Sequence, residues 1–140
     1  MNQSWRSGTV SRFRFFGDGD SSIDRANEIN LSSSSSFQDS GRVSENNPDY
    51  YRFTLRNSSS VKFNFQNRGE ESIRFSIVDR TDRTISINGK RLFADLDSGN
   101  REKLGVRFSA GTYFIRIKTS EGNDERYSFR LRVNSRRNDD

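Results

Sequence analysis

The sequence predicts an all-β protein, an antiparallel β-sandwich or jelly roll of about eight strands with an extended N-terminal arm. Apolar and polar residues alternate one for one over short stretches, as in strands that bury one face and expose the other. These stretches follow one another at short, regular spacing with turn residues between them. A chain of 140 residues suits one domain, and its twelve Phe add buried area to a hydrophobic content of only 29%.

Residues 1–22 are expected to form a flexible basic and aromatic arm, because Gly, Ser, Asp and Asn punctuate them. Rings interleaved with guanidinium groups make strong interface anchors, so the arm predicts a docking peptide. A first edge strand whose rings join the core is the alternative. The residues concerned are Trp5, Arg6, Arg12, Phe13, Arg14, Phe15 and Phe16.

The next segment carries weaker signals. Residues 23–29 predict one helical turn or irregular coil, and the five serines at 32–36 predict a polar spacer or an exposed strand edge. Residues 39–49 predict a turn region, which includes Pro48, the single proline of the chain.

From residue 50 onward the alternation is regular, and Asn88-Gly89 adds a strong hairpin signal. The β-sandwich is therefore expected to occupy residues 23–133, followed by a charged tail at 134–140. The inward sets, in chain order, are Tyr51, Phe53 and Leu55; Val61, Phe63 and Phe65; Ile73, Phe75 and Ile77; Ile85 and Ile87; Leu92, Ala94 and Leu96; Leu104, Val106 and Phe108; Tyr113, Ile115 and Ile117; and Tyr127, Phe129, Leu131 and Val133.

Composition excludes several classes of chemistry. With no Cys and no His, the chain has no thiolate or imidazole for nucleophilic catalysis or for a zinc site, and an enzyme is not expected. Its first residues lack the apolar run of a signal peptide, and no stretch approaches membrane-spanning length. These features predict a soluble cytoplasmic protein, with an extracellular location as the alternative.

Charge is distributed unevenly along the chain. Residues 17–50 hold seven acids against two bases, whereas residues 51–133 hold seventeen bases against ten acids, a net of +7. Such a field favours acidic partners and speeds their encounter. The sequence therefore predicts an acidic protein complex as the partner. An anionic polysaccharide or a nucleic acid is the less favoured alternative.

The outward bases of the alternating strands, which also include Arg56 and Lys62, are expected to form one cationic sheet face and are the main candidates for partner binding. A solvated face that keeps strand edges from aggregating is the alternative. Nucleic acid is the less favoured partner, because most rings fall on the inward phase; Tyr50, Phe93 and Phe114 are the exceptions. The candidates are Arg52, Arg74, Arg107, Arg116, Lys118, Arg130 and Arg132.

The segment from Asp18 to Asp24 begins like a calcium-binding loop. Asp18, Asp20 and Asp24 carry the oxygen ligands that calcium prefers. The segment lacks the glycine at the sixth position and the distal Glu of an EF-hand loop. A solvated acidic linker is therefore the favoured interpretation and calcium binding the alternative. No other cofactor is expected.

Three segments together resemble the bacterial pre-peptidase C-terminal (PPC) domain. They are Asp49-Tyr50-Tyr51-Arg52-Phe53-Thr54-Leu55, Ala110-Gly111-Thr112-Tyr113-Phe114-Ile115-Arg116-Ile117 and Tyr127-Ser128-Phe129-Arg130-Leu131, and the lead-in at residues 26–31 is similar to the entry segment of that family. The resemblance covers roughly residues 23–133. It implies a non-catalytic β-sandwich of the kind that accompanies secreted proteases and large cyanobacterial surface proteins, some of which bind collagen, polysaccharide or calcium.

Two functions follow as expectations. The first is a basic adaptor that docks onto acidic proteins in a larger assembly, as a stand-alone cyanobacterial-type member; phycobilisome linkers are an analogy in charge and size. The second is an accessory module that binds matrix or polysaccharide in a secreted or cell-surface system, with calcium dependence as an option.

Overall fold

The computed structural model describes residues 22–31, 36–121 and 124–135. Within these residues the strands are β1 (Asn27–Glu28), β2 (Ser36–Val43), β3 (Asp49–Leu55), β4 (Ser59–Asn67), β5 (Ile73–Val78), β6 (Ser86–Ile87), β7 (Lys90–Arg91), β8 (Phe93–Leu96), β9 (Arg101–Phe108), β10 (Gly111–Lys118) and β11 (Glu125–Ser135). They form a first sheet in the order β1-β3-β10-β5-β8, a second in the order β2-β11-β4-β9 and a small hairpin, β6-β7. The expected all-β sandwich is confirmed.

The chain crosses from one sheet to the other at most of its connections. Strands β3, β5 and β10 lie in the first sheet, and β2, β4, β9 and β11 lie in the second. All strand pairs are antiparallel except β1 with β3. Segments that follow each other in the sequence therefore often point their outward side chains to opposite sides of the molecule.

Aromatic rings fill the space between the two sheets. Phe53, Phe65 and Phe75 are fully buried. Phe65 of the second sheet stacks on Phe75 of the first at a centroid distance of 4.6 Å, and Phe53 meets Phe63 edge to face at 6.0 Å. Such pairs add to the stabilisation that burial alone provides. The inward phase predicted for the regular strands is confirmed, with Leu104 and Val106 half-buried on edge strand β9.

The prediction of a turn region over residues 39–49 is wrong at its start, because β2 continues to Val43 and pairs along its whole length with β11. Phe37, Asp39, Gly41 and Val43 occupy its inward positions. Two of these inward positions are not apolar because tyrosine hydroxyls lie next to them: that of Tyr51 at Asp39 and that of Tyr127 at Gly41. Asp39 accepts a hydrogen bond of 2.8 Å from Tyr51.

A hydrogen-bonded cluster joins both sheets at this end of the core. The hydroxyl oxygens of Tyr51 and Tyr127 are 2.9 Å apart, and Tyr127 donates to the carboxylate of Asp49. Both tyrosines are buried. Burial, reinforced by the neighbouring carboxylates, raises the pKa of both hydroxyls well above their usual value of 10.0.

The remaining expectations concern the ends and the turns. A single 3₁₀ turn occupies Ile23–Arg25, one of the two expected forms, and the Asn88-Gly89 hairpin is confirmed, with φ of 55° and 82° at its two turn residues. The serines at 32–35, the arm up to residue 21 and the tail from residue 136 lie outside the described residues, so the domain limits stay a prediction. Among the described residues, no helix has the length and apolar character needed to span a membrane.

Gly41→Ala should destabilise the protein, because a Cβ at this position would lie 2.5 Å from the Tyr127 hydroxyl oxygen. The ring or strand β2 must move, and overpacking of this kind costs about 1–3 kcal/mol. Urea unfolding measures the change in the free energy of unfolding. Gly105→Ala on β9 is the matched control, since a Cβ there meets nothing within 4 Å. Equal stability of the two variants would contradict the tight contact.

The buried tyrosines should make the protein sensitive to alkali. Below pH 10 both the folded and the unfolded chain keep the tyrosine protons. Above it the unfolded chain loses protons that folded Tyr51 and Tyr127 retain, because their pKa is raised. The free energy of unfolding should then fall by about 1.4 kcal/mol per pH unit for each such tyrosine, until the pH reaches the folded pKa. Urea unfolding across this range should give a shallower decline for Tyr51→Phe; an identical slope would refute the assignment.

Candidate cationic binding face

The predicted partner-binding bases do not share one face. Strands β3, β5 and β10 place Arg52, Arg74, Arg116 and Lys118 outside the first sheet. Strands β9 and β11 place the other three on the opposite side of the sandwich, outside the second sheet. The expectation that the outward bases form one cationic sheet face is therefore wrong. These other three residues are Arg107, Arg130 and Arg132.

Acidic side chains neutralise the three arginines on the strands of the first sheet. The Arg52 Nε donates to Glu28 at 2.6 Å, and Arg74 makes a two-bonded pair with Asp95 at 2.6 and 2.8 Å. The Arg74–Asp95 hydrogen bonds raise the pKa of the guanidinium and lower that of the carboxyl. This side of the molecule consequently carries little uncompensated charge along its strands.

A loop at residues 79–83 covers part of the same sheet. Its Asp82 accepts hydrogen bonds from Tyr50 at 2.9 Å and from Arg116 at 3.0 Å. The Arg80 guanidinium lies 6.0 Å from the centre of the Phe114 ring. Tyr50 and Phe114 are thus buried although their strand phase points outward, and burial together with Asp82 raises the pKa of Tyr50 to about 12. Both rings and Arg116 therefore take part in the packing of the fold beneath this loop.

Phe93 on β8 is the one large hydrophobic side chain that is exposed in the described part of the chain, at 37%. The guanidinium groups of Arg74 and Arg91 lie 4.7 and 5.7 Å from its ring centre. These cation–π contacts shield the ring and hold it against the sheet.

The outer side of the second sheet is different and is called the cationic face below. It consists of the outward positions of β2, β11, β4 and β9, together with Arg68 directly after β4. No Asp, Glu or aromatic residue occupies an outward position on these four described strands; Glu102 lies on the inward phase of edge strand β9 but is exposed there. Nine bases stand here: Arg42, Lys62, Arg68, Arg101, Lys103, Arg107, Arg126, Arg130 and Arg132.

Strand register arranges the cationic face in rows across the sheet. The central row contains Gln38, Arg130, Asn64 and Lys103, one residue from each strand. The row on one side reads Ser40, Ser128, Gln66 and Arg101, and the row on the other reads Ser36, Arg132, Lys62 and Gly105. Arg42 and Arg126 stand side by side at one end.

Neutral groups hold several of these bases in place. Arg130 donates from Nε and Nη2 to the Gln38 side-chain oxygen at 3.3 and 3.1 Å. Arg68 donates to Ser128 at 3.2 Å and Arg107 to Ser60 at 3.3 Å. Amide and hydroxyl partners orient a guanidinium without cancelling its charge. At one corner of the face an acid is paired with a base, because Asp124 lies 3.3 Å from Arg42.

A shallow depression of about 1180 Å³ lies over one part of the cationic face. Side chains from all four strands line it, among them Gln38, Arg42, Gln66, Arg101 and Arg126. The surface is therefore slightly concave where its bases are densest. Five arginines and one acid, Asp39, contribute to its lining. A concave surface with such an excess of positive charge concentrates the electrostatic field and attracts anions.

Sequence reasoning missed Arg42, Arg68, Arg101, Lys103 and Arg126. Arg42 was lost because β2 was not recognised, whereas Arg101, Lys103 and Arg126 follow the same alternation that identified Arg107 and Arg130. The arm residues from Trp5 to Phe16 and the calcium candidates Asp18 and Asp20 lie outside the described residues. Asp24 is exposed in the 3₁₀ turn, and the described residues contain no group of three or more acids placed to hold a metal ion.

No model of a protein family matches the chain, and no curated protein matches its sequence. Among solved structures, the chain is similar to the pre-peptidase C-terminal domain of a collagenase from Bacillus anthracis, with 16% identity, 76% of this chain and 94% of that chain covered, and a TM-score of 0.57. It is also similar to PliG of Aeromonas hydrophila, a periplasmic inhibitor of g-type lysozyme, with 10% identity, coverages of 77% and 95%, and a TM-score of 0.54. A third similar structure is tripeptidyl peptidase 2, with 11% identity and a TM-score of 0.50. The match covers 71% of this chain and 10% of that chain.

At these identities the likeness shows the fold. The chain has a PPC-like β-sandwich fold, which bears out that part of the resemblance. A cyanobacterial stand-alone type stays a prediction.

Arg116→Gln should lower the free energy of unfolding by about 1–3 kcal/mol, because its side chain is only 13% exposed and its bonds to Asp82 hold the 79–83 loop. Arg132→Gln, a matched loss of one charge on the cationic face, should change it by no more than about 0.5 kcal/mol. Urea unfolding of both variants makes the comparison. Similar losses would show that Arg116 has no special structural part.

Proposed function

We propose that this chain is a non-catalytic binding module that holds an acidic partner on its cationic face. The observation that carries the proposal is the set of nine bases with no acid at an outward position on the four strands concerned. The absence of His and Cys from the sequence favours binding over catalysis. An exposed field of this kind speeds the encounter with an anionic macromolecule.

The contrast between the two sheets supports a functional interpretation over a merely solvated surface. On the first sheet, Arg52, Arg74 and Arg116 each have an acidic partner. On the second sheet, Arg126 stands directly opposite Arg42, and Arg132 directly opposite Lys62. Like charges in such cross-strand pairs cost a fraction of a kcal/mol each. A surface that served only solubility would not need these unfavourable pairs.

The partner classes expected from the sequence make different demands. Stable protein interfaces usually have an apolar centre, and the cationic face supplies none within its four strands. An acidic protein complex would therefore also need rings from the arm, such as Trp5, Phe13, Phe15 and Phe16. An anionic polysaccharide would need the face alone. The cytoplasmic location stays a prediction and would suit an acidic protein complex as the partner. The extracellular alternative would suit an anionic polysaccharide.

Retention on immobilised polyglutamate and on an immobilised sulfated polysaccharide tests the proposal. The triple variant Arg126→Gln, Arg130→Gln, Arg132→Gln should elute from at least one of them at clearly lower salt than the unaltered protein, because exposed charges act through a screened field. The matched control, Arg52→Gln, Arg74→Gln, Lys118→Gln, removes the same charge from the opposite side and should elute close to the unaltered protein.

Equal shifts for the two triple variants would mean that net charge alone governs retention, and the proposal would be wrong. The combination Trp5→Ala with Phe15→Ala in the full chain separates the partner classes. It should weaken capture of an acidic protein if the arm docks, and it should leave retention on the polysaccharide unchanged.

A further inference from the structure

We infer that the ligand of the cationic face is an acidic polysaccharide in which charged sugar units alternate with neutral ones, lying across the four strands. This inference rests on the proposed function and adds the class of ligand. Its basis is the central row of the face, in which amides and cations alternate, whereas Arg132 and Lys62 stand side by side in a neighbouring row.

The central row alternates amide and cation across the sheet. Gln38, Arg130, Asn64 and Lys103 follow one another on four hydrogen-bonded strands in register. Neighbouring strands lie about 4.8 Å apart, so the two cations are separated by two interstrand steps, about 10 Å. One interstrand step is close to the length of a pyranose unit in an extended chain. The row therefore offers a cation to every second sugar and an amide to the sugars between.

The neutral groups of the face match sugar hydroxyls. Amide and hydroxyl side chains both donate and accept hydrogen bonds, whereas carboxylate, sulfate and phosphate groups only accept. Asn64 lies between Arg130 and Lys103 on the neighbouring strands. In the adjacent row Ser40 lies beside Ser128, and Gln66 lies between Ser128 and Arg101. The side-chain oxygens of Asn64 and Gln66 can accept a hydrogen bond from a ligand hydroxyl. A ligand with acidic groups alone would leave these acceptors without that partner.

Arg130 is already oriented for such a contact. Its Nε and Nη2 are held by the Gln38 oxygen, so the guanidinium plane is fixed before any ligand arrives. Preorganisation lowers the side-chain entropy lost on binding. Charge-assisted hydrogen bonds from a fixed guanidinium to a carboxylate are among the stronger polar contacts in proteins.

Other polyanions fit the face less well. Single-stranded nucleic acids are usually held by stacking on aromatic side chains, and no ring points outward from these four strands. An acidic protein would find no apolar centre there. Three of the four residues of the central row, Gln38, Asn64 and Arg130, also line the depression.

Calorimetric titration of the full chain with four probes tests the inference. The probes are hyaluronan oligosaccharides, in which a uronic acid alternates with a neutral amino sugar; polygalacturonate, in which every unit is charged; polyglutamate; and oligothymidylate. Each is matched for anionic groups and measured at an ionic strength that screens exposed charges. The hyaluronan oligosaccharide should bind at least about tenfold more tightly per anionic group than the other three, because only it alternates charged with neutral units, as the central row alternates cations with amides.

Asn64→Leu separates sugar recognition from simple charge attraction, because it leaves the net charge unchanged. It should weaken hyaluronan binding about tenfold and leave polyglutamate binding unchanged. Asn134→Leu, on the same face at the far end of β11, is the matched control and should change neither. Thermal unfolding verifies that both substitutions, each at an outward strand position, leave the fold intact.

The outcomes distinguish this inference from the proposed function. If polyglutamate or oligothymidylate binds as tightly as hyaluronan, or if Asn64→Leu affects all probes alike, the polysaccharide inference is overturned while the cationic binding face stands. Tighter binding of polygalacturonate per anionic group would overturn the alternation. If no probe binds and the face variants elute like the unaltered protein, both proposals fail.

Discussion

The packing of aromatic rings between two sheets governs the rest of this structure. Phe65 and Phe75 meet face to face across the interior, and the edge-to-face pair of Phe53 and Phe63 joins the same two sheets. Each ring occupies an inward position, so it fixes the phase of its strand and with it the residues that must face solvent. The set of strand residues that form the two outer surfaces follows from this phase.

The crossing of the chain between sheets then divides the surface charge. Because β10 and β11 lie in different sheets, Arg116 and Arg130 point to opposite sides although their segments are adjacent in the sequence. On one side, Asp82, Asp95 and Glu28 compensate the arginines. On the other side, amides and hydroxyls orient the bases and leave their charge available. The difference between structural and free cations is thus a difference in neighbours, and the residue types are the same.

A PPC-like fold does not by itself specify a ligand, since one β-sandwich can present many surfaces. The chemistry of the cationic face is more informative. In its central row, cations separated by amides suit a chain that carries both acidic and hydroxyl groups, whereas a purely acidic partner would be served by bases alone. The two ligand classes therefore make different demands on the chain. A polysaccharide would contact Asn64 and Gln66 through its hydroxyls, whereas an acidic protein would need the ring-rich arm.

The sequence by itself determined the all-β class, the inward phase of the regular strands and the hairpin at Asn88-Gly89, because a period of two and a turn preference are local properties of a chain. It concealed β2, whose inward positions carry Asp39 and Gly41 to suit the hydroxyls of Tyr51 and Tyr127. Only the tertiary structure decided that Arg116 is tied to a loop and that the bases of β2, β4, β9 and β11 form one face. Charge compensation and sheet membership depend on contacts between residues far apart in the chain, and alternation within one strand carries no information about them.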